Sequence, residues 1–199
     1  MTFSICKKDN SVSYREIQNL LNEAHKSNVK NGLIYATDHQ TEEELMEKIG
    51  DGVCFVAKNL IGKDPSIIGT MTICQKYIDY WYYTGDIYLL KLVGVHSEYK
   101  RMGVSQKLIN AIIEYVKESY DNQSPMVIVT DSAESNLAFK NLVLKNKFKI
   151  VDCVKYKGNN FVSTVYAKWI YDDCPWTDAE CIKHYEEHRS RVERQPERE

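Results

Sequence analysis

The segment 95–105 combines residue types that can bind an anion. Lys100, Arg101 and Lys107 bring three cationic side chains close to Gly103, where an apolar helical pattern begins. The first N–H groups of a helix have no intrahelical acceptor, and the helix dipole adds positive potential at the same place. Glycine lets the backbone approach a ligand closely. The turn therefore suits a pyrophosphate, although a solvated strand-to-helix turn would contain the same residue types.

Hydrophobic periodicity predicts the elements that position this turn. The predicted order is β-α-α-β-β-β-α-β-α-β-β, with helices at about 14–26, 41–49, 103–119 and 135–145. Ser13 and Thr41 are predicted N-caps, and Glu44 completes a capping box with Thr41. A hairpin turn is predicted at 84–86, and the return strand 87–95 leads into the basic turn. The pattern indicates an α/β chain whose first half is antiparallel.

Two motifs resemble the GNAT superfamily of N-acetyltransferases. Its motif A is a strand ending in valine, then a loop, then Arg/Gln-x-x-Gly-x-Gly/Ala at the start of a helix. Residues 92–95 resemble the end of that strand, 96–99 the loop and 100–105 the six-residue motif. Gly103 matches strictly, whereas Lys100 replaces Arg/Gln and Ser105 replaces Gly/Ala. Lysine keeps the charge but loses the bidentate geometry of arginine.

The second motif lies downstream, where the family has Asn-x-x-Ala followed by Leu-Tyr-x-x-x-Gly-Phe. Asn136 and Phe148 are twelve residues apart, as in that pattern, and Leu142 is in register. Three positions depart from it, namely Phe139 for alanine, Val143 for tyrosine and Lys147 for glycine. The resemblance covers about residues 53–170.

The resemblance implies a GNAT-like fold of the α/β (α+β) class. Such a fold has flanking helices and a mixed, mostly antiparallel sheet with a splayed parallel pair of strands, here at 89–95 and 126–130. The implied co-substrate is acetyl-coenzyme A (acetyl-CoA), wedged between those two strands. The implied coenzyme-binding residues are Val93, Val95, Lys100, Arg101, Met102, Gly103, Val104, Ser105 and Asn136.

The implied reaction moves an acetyl group from acetyl-CoA to a primary amine, by direct attack in a ternary complex. The acceptor, a small molecule or a peptide, is not identified by the sequence. The family's usual tyrosine acid is replaced by Val143. That replacement favours an alternative function, a non-catalytic acyl-CoA-binding module of the same fold with a regulatory or partner role.

The sequence does not identify the catalytic base and acid. His96 follows the central strand and has an intrinsic pKa suited to a base, and Glu98 in the same loop is a second candidate. Tyr166 on the last strand is a candidate acid, and deprotonation through water is an alternative. The hairpin tyrosines that could line an acceptor cleft are Tyr80, Tyr82, Tyr83 and Tyr88.

A string of possible metal ligands near the C terminus comprises Cys174, Cys181, His184 and His188. If residues 177–192 are helical, Cys181 and His188 lie about 10 Å apart along the axis, too far to share one zinc ion readily. We therefore expect no metal, and a terminal helix that packs through Trp176, Ile182 and Tyr185. The predicted organisation is a GNAT domain at 1–172 and a helical, charged extension at 173–199.

The composition excludes several other classes of function. A net charge of −2 over 199 residues gives no overall attraction to nucleic acid or anionic membrane. Gly-x-x-x-x-Gly-Lys-Ser/Thr is absent, which argues against a nucleotide hydrolase. The sequence has no signal-peptide pattern and no apolar run of membrane-spanning length. We expect a cytoplasmic protein with reduced thiols, no nucleic-acid or membrane partner, and a possible homodimer.

Overall fold

The computed structural model describes residues 2–33, 41–61, 66–119, 126–171 and 173–192. The main elements are β1 (Phe3–Lys7), α1 (Tyr14–Lys30), α2 (Glu42–Ile49), β2 (Val53–Asn59), β3 (Ile67–Tyr80), β4 (Tyr83–Val95), α3 (Val104–Glu118), β5 (Val127–Ala133), α4 (Leu137–Lys145), β6 (Lys149–Val154), β7 (Ser163–Trp169) and α5 (Asp178–Val192). This order confirms the predicted succession of elements, and α5 confirms the helix expected in the tail. Pro125 of the predicted fifth strand and the charged tail beyond residue 192 lie outside the described residues.

The seven strands within the described residues form one sheet in the order β1-β2-β3-β4-β5-β7-β6. The pairs β1–β2, β2–β3, β5–β7 and β6–β7 are antiparallel. β4 and β5 are parallel, with a register that runs from Ile87–Val127 to Leu89–Val129. The sheet is therefore mixed and mostly antiparallel, with one parallel pair, as expected.

The chain forms two compact units. Unit 1 comprises Met1–Asn31, Thr37–Cys74 and Leu90–Tyr120, and unit 2 comprises Gly32–Ala36, Gln75–Leu89 and Asp121–Glu199. Unit 2 includes α5, which packs on β6. The predicted domain boundary at residue 172 stays a prediction.

Unit 1 has its core between α1, α2 and the first strands. The predicted capping box at Thr41–Glu44 is present, and the predicted N-cap Ser13 forms a second one with Glu16. The helical spacing of α1 directs one apolar stripe into this core, made of Ile17, Leu20, Leu21 and Ala24. α1 runs to Lys30, one turn beyond its predicted end.

The hairpin between β3 and β4 corrects the predicted turn at 84–86. The turn lies instead at Trp81 and Tyr82, and residues 84–86 belong to β4. Tyr82 is only 3% exposed, and Trp81 stacks on His184 with ring centroids 3.9 Å apart. Burial of these large rings outweighs the weaker turn preference of the Gly-Asp pair.

The terminal helix α5 completes the core of unit 2. Trp176, just before α5, packs edge-to-face against Trp81, and the Tyr185 hydroxyl donates to Glu134 Oε1 at 2.7 Å. The expected packing of Ile182 is wrong, because that side chain is exposed while its neighbour Cys181 is buried. The face of α5 that carries Cys181 and Tyr185 therefore packs against the core of unit 2. In the part of the chain that the structure describes, no helix is both long and apolar enough to span a bilayer.

Candidate functional site

The turn after β4 leads into the start of α3 in unit 1. The backbone N–H of His96 donates to the Ile68 carbonyl, and a single 3₁₀ turn follows at Ser97–Tyr99. Gly103 is the N-cap of α3, with φ +79° and ψ 5°, and no side chain of the described residues caps this helix. The first N–H groups of a fifteen-residue helix are therefore available to an anion.

Two left-handed residues shape the turn. Arg101 has φ +65° and Gly103 has φ +79°, with the exposed Met102 between them. Left-handed residues in a turn can direct successive N–H groups toward one point, as in anion-binding concavities. A Cβ placed on Gly103 would meet nothing within 4 Å, so the space outside the turn is open.

Two further glycines allow helices to approach the strands that support the turn. A Cβ on Gly69 would lie 2.7 Å from Val104 Cγ1, and one on Gly94 would lie 3.0 Å from Leu21 Cδ2. Their absent side chains let α3 and α1 pack closely on β3 and β4. The side chain of Val104 is buried in this packing, so only its backbone can serve the predicted coenzyme role.

Polar contacts fasten the turn to α1. Ser97 Oγ donates to Glu23 Oε1 at 2.8 Å, and this hydrogen bond lowers the pKa of Glu23. Lys100 Nζ donates to the Ala24 carbonyl at 3.3 Å and lies 3.5 Å from Ser27 Oγ. Lys100 therefore holds the turn against the last turns of α1, which is a positioning contact rather than a displayed cation.

Leu92 lies in β4 just before the turn and has φ +52°. A non-glycine residue in the left-handed region costs about 1–3 kcal/mol and is found most often at functional sites. The conformation interrupts the regular alternation of β4 immediately before Val93 and Val95, whose backbone groups are predicted to pair with the coenzyme. Those two roles, and those of Ser105 and the residues of the turn, stay predictions.

The structure gives the catalytic candidates other local roles. His96 Nδ1 accepts from the Glu98 N–H at 3.4 Å and caps the 3₁₀ turn, while the Glu98 side chain is exposed. Tyr166 is fully buried, packs edge-to-face on Phe139, and has a pKa raised by that burial. The predicted base and acid functions of these residues stay predictions.

Asn136 belongs to unit 2, whereas the turn belongs to unit 1. Its side chain caps α4, because Oδ1 accepts from the Phe139 N–H at 3.2 Å. Val143, at the position of the family's tyrosine, is fully buried. The predicted coenzyme contact of Asn136 stays a prediction.

Unit 2 contains a row of residues that the sequence does not reveal. Asp131 on β5 pairs with Val165 on β7, and Val165 pairs with Asp152 on β6. Residues that face each other across antiparallel strands project to the same side, so this acidic row (Asp131, Val165, Asp152) carries two carboxylates on one face. Two strand spacings separate them by about 10 Å.

The two carboxylates of the acidic row have different neighbours. Asp152 is 7% exposed and contacts His188 Nδ1 of α5. Asp131 is half-buried and accepts a hydrogen bond of 3.2 Å from the Tyr156 hydroxyl. Burial raises the pKa of Asp131, while hydrogen bonds from Ser163 and Tyr156 partly oppose that rise.

Tyr82 of the hairpin lies close enough to the acidic row to be affected by both of its carboxylates. Burial is the main cause of its strongly raised pKa, and the charges of Asp152 and Asp131 add to it. Tyr80 stacks on Tyr82 with ring centroids 5.6 Å apart. Two of the four hairpin tyrosines named from the sequence therefore belong to the surroundings of the row. The only sequence signal for Asp131 is an acid within an apolar strand.

Among the possible metal ligands named from the sequence, Cys174 and Cys181 contact each other, whereas the two histidines have other neighbours. Cys181 is buried in the core of unit 2, His184 stacks on Trp81, and His188 contacts Asp152. A different set, Asp152, Cys153 and His188, has its donor atoms within 4.8 Å of one another and could hold an ion. The direct His188–Asp152 contact already satisfies two of these groups. The six cysteines, all within the described residues, form no disulfide.

Solved structures of similar fold include acetyltransferases from a plant and from bacteria. NAA60 of Arabidopsis thaliana in complex with acetyl-CoA has a TM-score of 0.62 and 17% identity, covering 86% of this chain and 100% of that chain. The protein yncA of Salmonella typhimurium with its cofactor acetyl-CoA has a TM-score of 0.62 and 14% identity, covering 89% and 99%. A GNAT-family acetyltransferase of Streptococcus agalactiae 2603 has a TM-score of 0.64 and 14% identity, covering 84% of this chain and 95% of that chain. At these identities the likeness establishes the fold.

The sequence itself identifies the family. A search of curated proteins found no relative of this chain. The model of the acetyltransferase (GNAT) family matches residues 14–142, which include the turn and Asn136. The match agrees with the sheet order, with the uncapped start of α3 and with the left-handed Gly103. The chain therefore belongs to the acetyltransferase (GNAT) family.

Proposed function

We propose that this protein is an acetyltransferase that moves the acetyl group of acetyl-CoA to a primary amine. GNAT enzymes use acetyl-CoA as co-substrate, and two of the solved structures of this fold contain it. The observation that carries the proposal is the start of α3, where Gly103 leaves the helix amides uncapped by any described side chain. Such a site binds the pyrophosphate of a coenzyme through its backbone.

The proposed reaction follows from this placement. The turn holds the pyrophosphate, and the left-handed Leu92 reorients β4 where the coenzyme arm is expected to pair. A backbone N–H directed at the thioester carbonyl would stabilise the developing oxyanion. The neutral amine attacks that carbonyl in a ternary complex, and the sulfur leaves as a thiolate. The identity of the acceptor and the cytoplasmic location stay predictions.

Thermal unfolding tests coenzyme binding directly. Acetyl-CoA at about 100 times its Kd should stabilise the protein by about 2.7 kcal/mol, a rise in Tm of roughly 5–10 °C. Gly103→Glu should abolish the rise, because it adds strain and a negative charge where the pyrophosphate lies. Gly32→Glu is a matched control, since Gly32 has φ +84° and equally open space outside the turn. The control should lose stability but keep the response to acetyl-CoA.

Thiol release in the presence of amines separates the two candidate functions. Release that depends on both acetyl-CoA and amine would support acetyl transfer. Coenzyme binding without any turnover would support the non-catalytic module, which the buried Val143 in place of a tyrosine favours. No change of Tm at millimolar acetyl-CoA would contradict both.

A further inference from the structure

We propose that Asp131 binds the ammonium group of the acceptor amine and takes a proton from it. The inference rests on the proposed function and deepens it, because it assigns the base that the sequence leaves open. The observations that carry it all lie in unit 2, around Asp131.

The difference between the two carboxylates of the acidic row carries the proposal. Asp152 lies against His188, which can balance its charge. Asp131 has hydroxyl groups as its hydrogen-bond partners among the described residues, namely those of Tyr156 and Ser163. A half-buried carboxylate whose hydrogen-bond partners are neutral hydroxyl groups attracts a cation and takes up a proton more readily than one in water.

The surroundings of Asp131 suit an alkylammonium group. Tyr156, which donates to the carboxylate, is 42% exposed. Aromatic faces beside a carboxylate bind organic cations through the ring quadrupole. The titratable groups whose charges or hydrogen bonds reach Asp131 are Tyr156 after β6, Tyr82 of the hairpin and Tyr166 of β7. All three are tyrosines, and burial raises the pKa of each.

The proton balance of the step is simple. The ammonium group transfers one proton to the Asp131 carboxylate and becomes a neutral amine. The nitrogen lone pair attacks the thioester carbonyl, the C–N bond forms, and the C–S bond breaks with its electron pair on sulfur. The second nitrogen proton neutralises the thiolate, and Asp131 returns its proton to solvent. The products are an acetamide, coenzyme A and one proton.

Asp131→Asn tests the proposal with an isosteric side chain. The acceptors are n-butylamine, spermidine and a tetrapeptide amide with a free amino terminus, each with acetyl-CoA. We expect kcat to fall about 100-fold or more with an unchanged response of Tm to acetyl-CoA. The acidic limb that Asp131 sets in the kcat/KM profile should be replaced by a slow rate that follows the ionisation of the free amine, because only neutral amine from solution then reacts. Asp152→Asn is the control, a carboxylate of the same row that should keep the profile.

Tyr156→Phe provides a second, independent reading. Its hydroxyl stabilises the ionised form of Asp131, so its removal should raise the pKa of that carboxyl. The acidic limb of kcat/KM should then move to higher pH, an effect that a purely structural role would not produce. The partly exposed position of Tyr156 makes misfolding a minor concern.

Each outcome decides between the proposals. Full activity and an unchanged acidic limb in Asp131→Asn, with acetyl-CoA still bound, would overturn the role of Asp131 and leave the proposed function intact. An acidic limb that does not move in Tyr156→Phe would likewise contradict it. Coenzyme binding by the wild type without turnover of any amine would overturn Asp131 as a base and support the non-catalytic module. Failure of the wild type to bind acetyl-CoA would remove the proposed function itself.

Discussion

The basic turn of unit 1 and the acidic row of unit 2 handle charge in different ways. In the turn, backbone N–H groups and the left-handed Gly103 prepare a site for an anion, while Lys100 is used to fasten the loop to α1. In the row, side chains carry the charge, and their neighbours decide how each behaves: His188 for Asp152, tyrosine and serine hydroxyls for Asp131. The turn is thus defined by its backbone geometry, whereas the acidic row is defined by which groups neighbour each carboxylate.

This difference explains which site a sequence motif can reveal. A backbone site needs few particular side chains, but it needs glycine where φ is positive or where two chains approach closely. Gly103 meets the first requirement and Gly69 the second. A side-chain site needs residues that are distant in the chain, and only strand register places them together.

The largest expected effect tests whether pairing stabilises the row. His188→Ala should leave the buried Asp152 carboxylate without its partner on α5 and cost about 2–3 kcal/mol of stability. Chemical denaturation monitored by tryptophan fluorescence measures this cost.

Lys183→Ala is the control for that experiment on the same helix. Its 4.0 Å contact with Glu187 is exposed, so the stability should change by less than about 0.5 kcal/mol. Equal losses in both variants would mean that helix propensity, and not the buried pair, sets the effect.

An intermediate effect tests whether a side chain adds to the backbone site of the turn. Arg101→Asn removes the cation but tolerates the left-handed conformation. It should raise the Kd for coenzyme A about tenfold, or about 1.4 kcal/mol, as measured by calorimetry.

Lys107→Gln is the comparison for that measurement, because the Lys107 ammonium lies over the Phe3 ring, 4.6 Å from its centroid. Its Kd should change by less than about threefold. If both variants weaken binding equally, the turn attracts the coenzyme by general charge rather than by a defined contact.

The predictability of the two units follows the same division. The sequence predicts the helical periodicity, both N-caps and the succession of elements, because each depends on residues close in the chain. The hairpin turn was misplaced because Trp81 and Tyr82 bury their rings against residues remote in sequence. Ile182 was assigned to the core although Cys181 occupies it, since helical spacing alone does not fix which face is buried.

The surroundings of Asp131 could not be predicted from the sequence for a related reason. Nothing near it in the chain distinguishes it from any acid within a strand, and its partners Tyr156 and Ser163 come from later in the sequence. Lys100 illustrates the same limit, because its charge predicts a ligand contact and only the fold shows that its ammonium also reaches Ala24 and Ser27; its coenzyme role stays a prediction.

The smallest expected effect concerns stability against pH. Because burial raises the pKa of Asp131 in the folded state, ionisation favours the unfolded chain once the pH exceeds the ordinary aspartate pKa of about 4. Stability from this group therefore falls as pH rises through that window and stays lower above it. Asp131→Asn should have a Tm a few degrees higher than the wild type at pH 8.

The same comparison at low pH provides the check. Near pH 3 both folded and unfolded states are protonated at Asp131, so the two Tm values should coincide. A variant less stable than the wild type at pH 8 would show that the ionised Asp131 stabilises the fold. That result would contradict a carboxylate whose burial costs more than its hydrogen bonds return.

The division of the chain into units also bears on synthesis by the ribosome. All segments of unit 1 precede residue 121, with Gly32–Ala36 and Gln75–Leu89 inserted from the other unit. Asp152 and its partner His188 emerge later, and nascent domains tend to fold in the order in which they appear. A chain that stalls shortly after β6 would therefore carry Asp152 without its partner on α5. Unit 2 of such a chain would be incomplete and open to proteolysis.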